Sequence, residues 1–205
     1  MDRNDNNNIA VVAGLIESEP VFSHEVYGEK FYTFSVMVKR ISDVYDKINI
    51  VFPERLCPVK NICKGDNYRI SGQFRSHNNP TPSGNRLLLN LFAKDAELII
   101  EKDIIYENSA HLTGYICKPV TYRKTPLGRE IADILLAVNR SFNKSDYLPC
   151  IAWGRNAKYT GIINVGTKVL VEGRIQSRIY TKNLGENEVE KIAYEISVNN
   201  IQILE

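Results

Sequence analysis

The sequence predicts an all-β protein made of two tandem five-stranded barrels, each with a short helix between its third and fourth strands. Three observations predict it. The chain repeats itself at about half its length, each repeat alternates β-branched or aromatic residues with polar ones, and interior glycines recur at matching places. An offset of 100 aligns AGLI (13–16) with TGYI (113–116), Phe22 with Tyr122, Gly28 with Gly128, and FSVMVKR (34–40) with ILLAVNR (134–140). An offset of 101 then pairs KGDNYRISGQFRS (64–76) with VGTKVLVEGRIQS (165–177), so that Gly65 meets Gly166, Gly72 meets Gly173 and Gly84 meets Gly185. LFAKDAELI (91–99) resembles ISVNNIQIL (196–204) at an offset of 105, which implies a longer last hairpin in the second repeat. The repeats join between residues 102 and 109, giving expected domains of 1–105 and 106–205.

In the second repeat the strands read HLTGYI, IADILLAVNR, PCIAWG, KVLVEGRIQSRIY and KIAYEISVNNIQIL, set apart by turn signals such as TPLG and TKNLGENE. RNAKYTGIINV, between Gly154 and Gly166, alternates least and is the expected helix. Five strands with a helix after the third is the order of an OB-fold barrel. A pair of immunoglobulin-like sandwiches has similar length but needs about seven strands per unit. Gly14 and Gly114 in the first strand, and Gly72 and Gly173 in the fourth, fall where a small barrel bends or brings two backbones together.

The 205 residues carry 26 Lys+Arg against 24 Asp+Glu, a net charge of +2 that taken alone argues against a polyelectrolyte partner. Its distribution argues the other way. Residues 109–185 have a balance of +8, whereas the matching span 9–86 has +2. The better-charged surface for a nucleic acid therefore belongs to the second repeat. The N-terminus is acidic and amide-rich where a signal peptide needs a basic start, and no stretch approaches the roughly 18 apolar residues of a membrane helix. A cytoplasmic protein is expected. Cys57, Cys63, Cys117 and Cys150 stand singly and the three histidines are scattered, so reduced thiols are expected and neither a metal nor another cofactor. No Gly-rich phosphate loop, recurring carboxylate pair or nucleophile–histidine grouping suggests an enzyme.

Strand parity sorts the candidate binding residues. From Gly173, Arg174, Gln176, Arg178 and Tyr180 share one face, opposite Ile175, Ser177 and Ile179. In the third strand Tyr147, Pro149, Ile151 and Trp153 oppose Leu148, Cys150 and Ala152. Rings beside arginines suit a single strand, since bases stack on the rings while cations meet phosphates. Core packing for the aromatics and solvated surface charge for the cations are the plain structural alternatives.

The series GYICKP (114–119), LGREIADILLAVNR (127–140), YLPCIAWGRNA (147–157), VGTKVLVEGRIQSRIYT (165–181) and AYEISV (193–198) resembles the bacterial single-stranded DNA-binding protein family in order and spacing. The first repeat, with FSVMVKR and KGDNYRISG, looks like a diverged member. The resemblance implies OB-folds that bind single-stranded DNA without sequence preference in replication, recombination or repair, are not enzymes, and assemble as four domains, hence a nucleoid-associated homodimer here. It also implies the site: Tyr147, Trp153 and Tyr180 match positions on which bases stack, and Phe142 approximately matches another. Arg123, Lys124, Arg140, Arg155, Arg174, Arg178 and Lys182 are the candidate phosphate contacts. At offsets of 101 or 102, Phe52 or Val51 stands for Trp153 and Asp46 or Tyr45 for Tyr147 in the first repeat, where GQFRSHNNPT also lacks the final aromatic. An assembly role for that repeat is the alternative, as in a primosome-type accessory protein with weak binding to DNA or RNA. The family commonly ends in a flexible linker and acidic recruiting tip; none is visible after IQILE.

Overall fold

Among the described residues, twelve strands form where apolar and polar residues alternate, and one short α-helix forms where alternation lapses after Trp153. The computed structural model describes residues 6–81, 84–184 and 187–204, with side chains over 6–79, 87–179 and 192–204. The first repeat comprises β1 (Asn8–Ile16), β2 (Val21–Val26), β3 (Glu29–Lys39), β4 (Tyr45–Pro53), β5 (Asn67–Thr81) and β6 (Gly84–Leu98). The second comprises β7 (Glu107–Ile116), β8 (Thr121–Lys124), β9 (Glu130–Arg140), β10 (Lys144–Trp153), α1 (Gly154–Thr160), β11 (Lys168–Leu184) and β12 (Asn187–Ile203).

Each repeat closes a ring. β1 pairs with β3 and β5, β3 with β4, β4 runs parallel to β6, and β6 returns to β5. β7, β9, β10, β12 and β11 repeat the circuit. Rings this small bring backbones together, and the predicted glycines stand at those approaches. A Cβ on Gly14 would strike the carbonyl oxygen of Met37, and one on Gly72 that of Phe92; Gly114 and Gly173 meet Ala137 and Ser197 in the same way. Both fourth-strand glycines also sit at ladder irregularities, Ser71/Gly72 and Glu172/Gly173. Inside the rings lie Ile48, Ile50, Phe52, Ile70, Phe74 and Leu91, and correspondingly Leu148, Cys150, Ala152, Val171, Ile175 and Ile196, all buried. Burying one of the large members contributes about 1.5–3 kcal/mol.

The repeats join through their first strands. β1 and β7 pair antiparallel with Ala10 opposite Ala110, two residues separated by the repeat offset itself. Ile9 therefore faces His111 while Val11 faces Ser109, and an approximate two-fold axis passes between the alanines. Both alanines are fully buried, so the small side chains allow close contact there.

The five strands expected close each ring, and β2 and β8 are additional edge strands on β3 and β9. One expectation needs correction. The helix is present in the second repeat only. At the same place the first has a 3₁₀ turn, Val59–Asn61, in a segment carrying Pro53 and Pro58 and one residue fewer, which accounts for the step in offset from 100 to 101.

Candidate nucleic-acid interface

β10 supplies the aromatic side of the candidate site. Leu148, Cys150 and Ala152 point into the barrel and are buried, which turns Tyr147 and Trp153 outward, 46% and 38% exposed. Six residues of strand separate the two rings by about 20 Å. Trp153 closes the strand in extended geometry, and Gly154, at φ +55°, turns the chain into α1. A side chain with a Cβ is strained at that angle, so the Trp-Gly pair fixes the corner at which the indole sits. Across the sheet Trp153 opposes Ile131, which opposes Arg123 of β8, while Tyr147 opposes Ala137. On the other side Ile151 meets Ser197 of β12, and Arg174, Gln176 and Arg178 of β11 follow opposite Ser197, Glu195 and Ala193. The two rings and these arginines thus share one outer face of a continuous sheet. On the opposite face of β11 Val169, Val171 and Ile175 reach the core, and beyond them the strand runs past the barrel and leaves Ile179 exposed.

That face is less free than its charge suggests. Arg123 donates from Nε and Nη2 to Asp133 at 2.9 and 3.3 Å, a bidentate pair. Gln176 Nε2 donates to Glu195 at 3.2 Å. Burial pushes the Glu195 carboxyl above the usual carboxylate range, Asp133 adds to the shift, and Arg178 and Arg123 oppose it. Lys124 and Lys158 lie 3.9 and 3.2 Å from Glu130. The O–H of Tyr122 donates to Glu130 and, with Lys158, holds that carboxyl below its ordinary value. Arg155, on the first turn of α1, is exposed and makes no ion pair among the described residues. A phosphate approaching Arg123 must compete with Asp133, whereas Arg155 is open to it.

Arg174, at one end of that face, and Arg140 are engaged at the junction of the repeats. Arg174 Nη1 donates to Asp46 at 3.1 Å, beside Arg40, whose Nε donates to the same carboxylate at 2.8 Å. Asp46, wholly buried, also accepts from the backbone N–H of Ser177 at 2.7 Å. The two-fold equivalent is Asp146, which accepts from the N–H of Ser76 at 2.9 Å and has Arg140 at 3.6 Å. Burial raises its carboxyl above the ordinary range. Phe142, 92% exposed, stands in the β9–β10 turn at φ +62°. Tyr180 and Lys182 belong to β11, but their side chains lie outside the described residues.

The strand ladders also correct the equivalences between repeats. Trp153 pairs with Ile131 as Pro53 pairs with Phe31, and Tyr147 pairs with Ala137 as Lys47 pairs with Met37. The offset is thus 100 along the whole strand, Pro53 stands for Trp153, and Lys47 stands for Tyr147; Phe52 faces inward and is buried. The aromatics of the first repeat were missed because they come from other strands. His24 of β2 stacks on Phe31 of β3 at 4.8 Å and 7°, Phe31 lies 5.8 Å from Phe92 of β6, and the Arg75 guanidinium sits 3.9 Å above the Phe92 ring. Only ladder pairing joins them, so no local motif marks them in the sequence.

With this geometry in hand, residues 107–204 match the single-strand binding protein family. Single-stranded DNA-binding protein B of Bacillus subtilis (strain 168) is 37% identical over 87 residues, 39% of this chain and 77% of that protein. The chain belongs to the single-strand binding protein family. Single-stranded DNA-binding protein A of the same organism is 30% identical over 105 residues, 48% of this chain and 59% of that protein. The wild-type single-stranded DNA binding protein from Thermus aquaticus superposes with a TM-score of 0.78 at 15% identity, covering 97% of this chain and 93% of that one. That likeness extends the family's strand-rich fold over both repeats. Among the described residues no helix is long and apolar enough to cross a membrane.

Proposed function

We propose that the chain binds single-stranded DNA without sequence preference, in replication, recombination or repair, through two tandem OB-fold domains, 1–105 and 106–205. The observation that carries this reading is the outer face of β10, where Tyr147 and Trp153 stand outward beside the arginines of β8 and β11. Bases stack on Tyr147, Trp153, Tyr180 and Phe142, and every base has a π-face, so stacking binds without reading sequence. Arg155, Arg178, Arg123, Lys124 and Lys182 meet phosphates around these rings, with Arg140 and Arg174 at the junction between the repeats. The role is binding; no reaction is assigned. Two chains assembled as a homodimer bring four barrels together, in a cytoplasmic, nucleoid-associated protein.

Single replacements test the site. Trp153→Ala and Tyr147→Ala should each weaken oligo-dT binding about 5- to 150-fold, the range of one lost base stack, with the circular dichroism spectrum unchanged. Folded variants that bind as tightly as the unaltered chain would remove β10 from the interface.

A further inference from the structure

We infer that the first repeat carries its own single-strand site, built on β2, β5 and β6 rather than on β4 and completed by Arg140 from the second repeat. This inference rests on the single-stranded DNA reading above.

A cleft of about 540 Å³ opens on the outer face of the first repeat. Its wall carries the rings of His24 and Phe92, both packed on the buried Phe31, while Arg75 caps Phe92, His77 follows along β5, and Arg140 reaches the rim across the junction. The ladders place this cleft on the face equivalent to the outer face of the second repeat, and the residues differ in a consistent way. Asn90 stands opposite Arg75 as Glu195 stands opposite Gln176, and Phe92 opposite Gln73 as Ser197 opposite Arg174. Thr33 occupies the position of Asp133, each being paired across the sheet with the residue that faces the edge strand.

The second repeat thus has carboxylates at two positions where the first has neutral side chains, and lacks the ring that Phe92 supplies. Among the described residues no acidic side chain lines the cleft of the first repeat. Arg75 donates to Gln73 at 3.1 and 2.7 Å, and both it and Arg140 act on the buried Asp146, a carboxylate that is not on the cleft wall where a phosphate would meet the two guanidiniums. Arg140 keeps donors to spare beyond its 3.6 Å contact with the buried Asp146. A guanidinium lying on a phenyl ring is a flat, partly cationic platform, and a base stacks against it or takes its place on the ring. The loss of Trp153's equivalent to Pro53 is therefore offset by a ring on another strand. Net charge, which ranks the first repeat as the weaker surface, overlooks this because its acids lie away from the cleft.

Photo-crosslinking of the full chain to an oligo-dT carrying 5-iodo-dU, with adducts mapped by mass spectrometry, tests the site in the unaltered protein. Adducts on His24, Phe92 or their immediate neighbours, together with adducts on β10, are expected; adducts confined to the second repeat would overturn the inference. Two variants exchange residues for those of the other repeat and so spare the fold: Arg75→Gln and Phe92→Ser. Together they should weaken binding to a long oligo-dT about 5- to 150-fold and shorten the length of strand occluded per chain, while Trp153 fluorescence is still quenched. Unchanged affinity and occluded length with quenching intact would defeat the first-repeat site and leave the β10 site standing. If the unaltered chain shows neither quenching nor binding, the single-strand reading falls first and this site with it.

Discussion

Glu195 is the residue at which the binding face is most open to adjustment. Its carboxyl is raised by burial, so the neutral form persists to higher pH than for an ordinary glutamate. The charged form sits among Arg178, Arg123, Asp133 and Gln176, where it repels phosphate and occupies cations. Affinity for oligo-dT should fall as pH rises through the raised Glu195 range, and Glu195→Gln should bind more tightly at neutral pH and lose that part of the pH dependence. Titrations of both chains at matched salt check this; parallel pH profiles would count against it. The two junction aspartates should behave differently despite their equivalence. Asp46 holds two guanidiniums that are only 20% and 29% exposed, so Asp46→Asn removes their carboxylate, leaving Arg40 its bond to the Ser177 carbonyl and Arg174 its bond to Gln176, and should cost about 3 kcal/mol in urea unfolding. Asp146 is a carboxylate whose proton is held to higher pH when folded than when unfolded. Its charge therefore opposes folding increasingly as pH rises from the unfolded value through the folded one, and Asp146→Asn should be neutral or slightly stabilising near pH 7. Parity read from the sequence put Tyr147 and Trp153 on the outer face correctly. It could not show that Arg174 and Arg140 serve the junction, because Asp46 lies 128 residues from Arg174, and Asp146 of β10, beside Arg140, meets the first repeat through the distant Ser76.

Among the elements, the strands that close each ring were legible because one face of each is core, and period-two alternation follows. β2 and β8 were not. Every residue of both is exposed, so neither face imposes an apolar register, and VFSHEV and TYRK carry no alternation to detect. The helix was legible in the second repeat as a lapse in alternation; in the first, two prolines and a shorter segment leave a single 3₁₀ turn. The glycines were readable from recurrence alone, and their physical role makes a sharp prediction. At Gly173 a Cβ meets the backbone oxygen of Ser197, which cannot swing aside as a side chain end would. Gly173→Ala should lower stability by about 1–3 kcal/mol or more, read as a drop in urea midpoint. An unchanged midpoint would mean that the strands do not cross as closely as described.

Over the whole molecule, the repeat offset and the β1–β7 ladder state one fact twice: Ala10 opposes its own equivalent, so one chain forms about a two-fold axis what two identical chains could form by pairing first strands. Covalent duplication frees the two faces to diverge, with rings on β10 and a charged network in one repeat, and in the other His24 on β2 and Phe92 on β6 in a cleft with no acidic lining among the described residues. Net charge and composition could not reveal that division, since it depends on which acids stand beside which groove. The central claim is that bases stack beside the Trp153 indole while cations release counterions from the phosphates. Trp153 is the only tryptophan, so its fluorescence reports this face without labelling. Titration with oligo-dT across a series of salt concentrations should show strong quenching, with affinity falling at a slope of about −0.7 per phosphate neutralised. Binding that leaves the fluorescence unchanged and does not vary with salt would contradict the account.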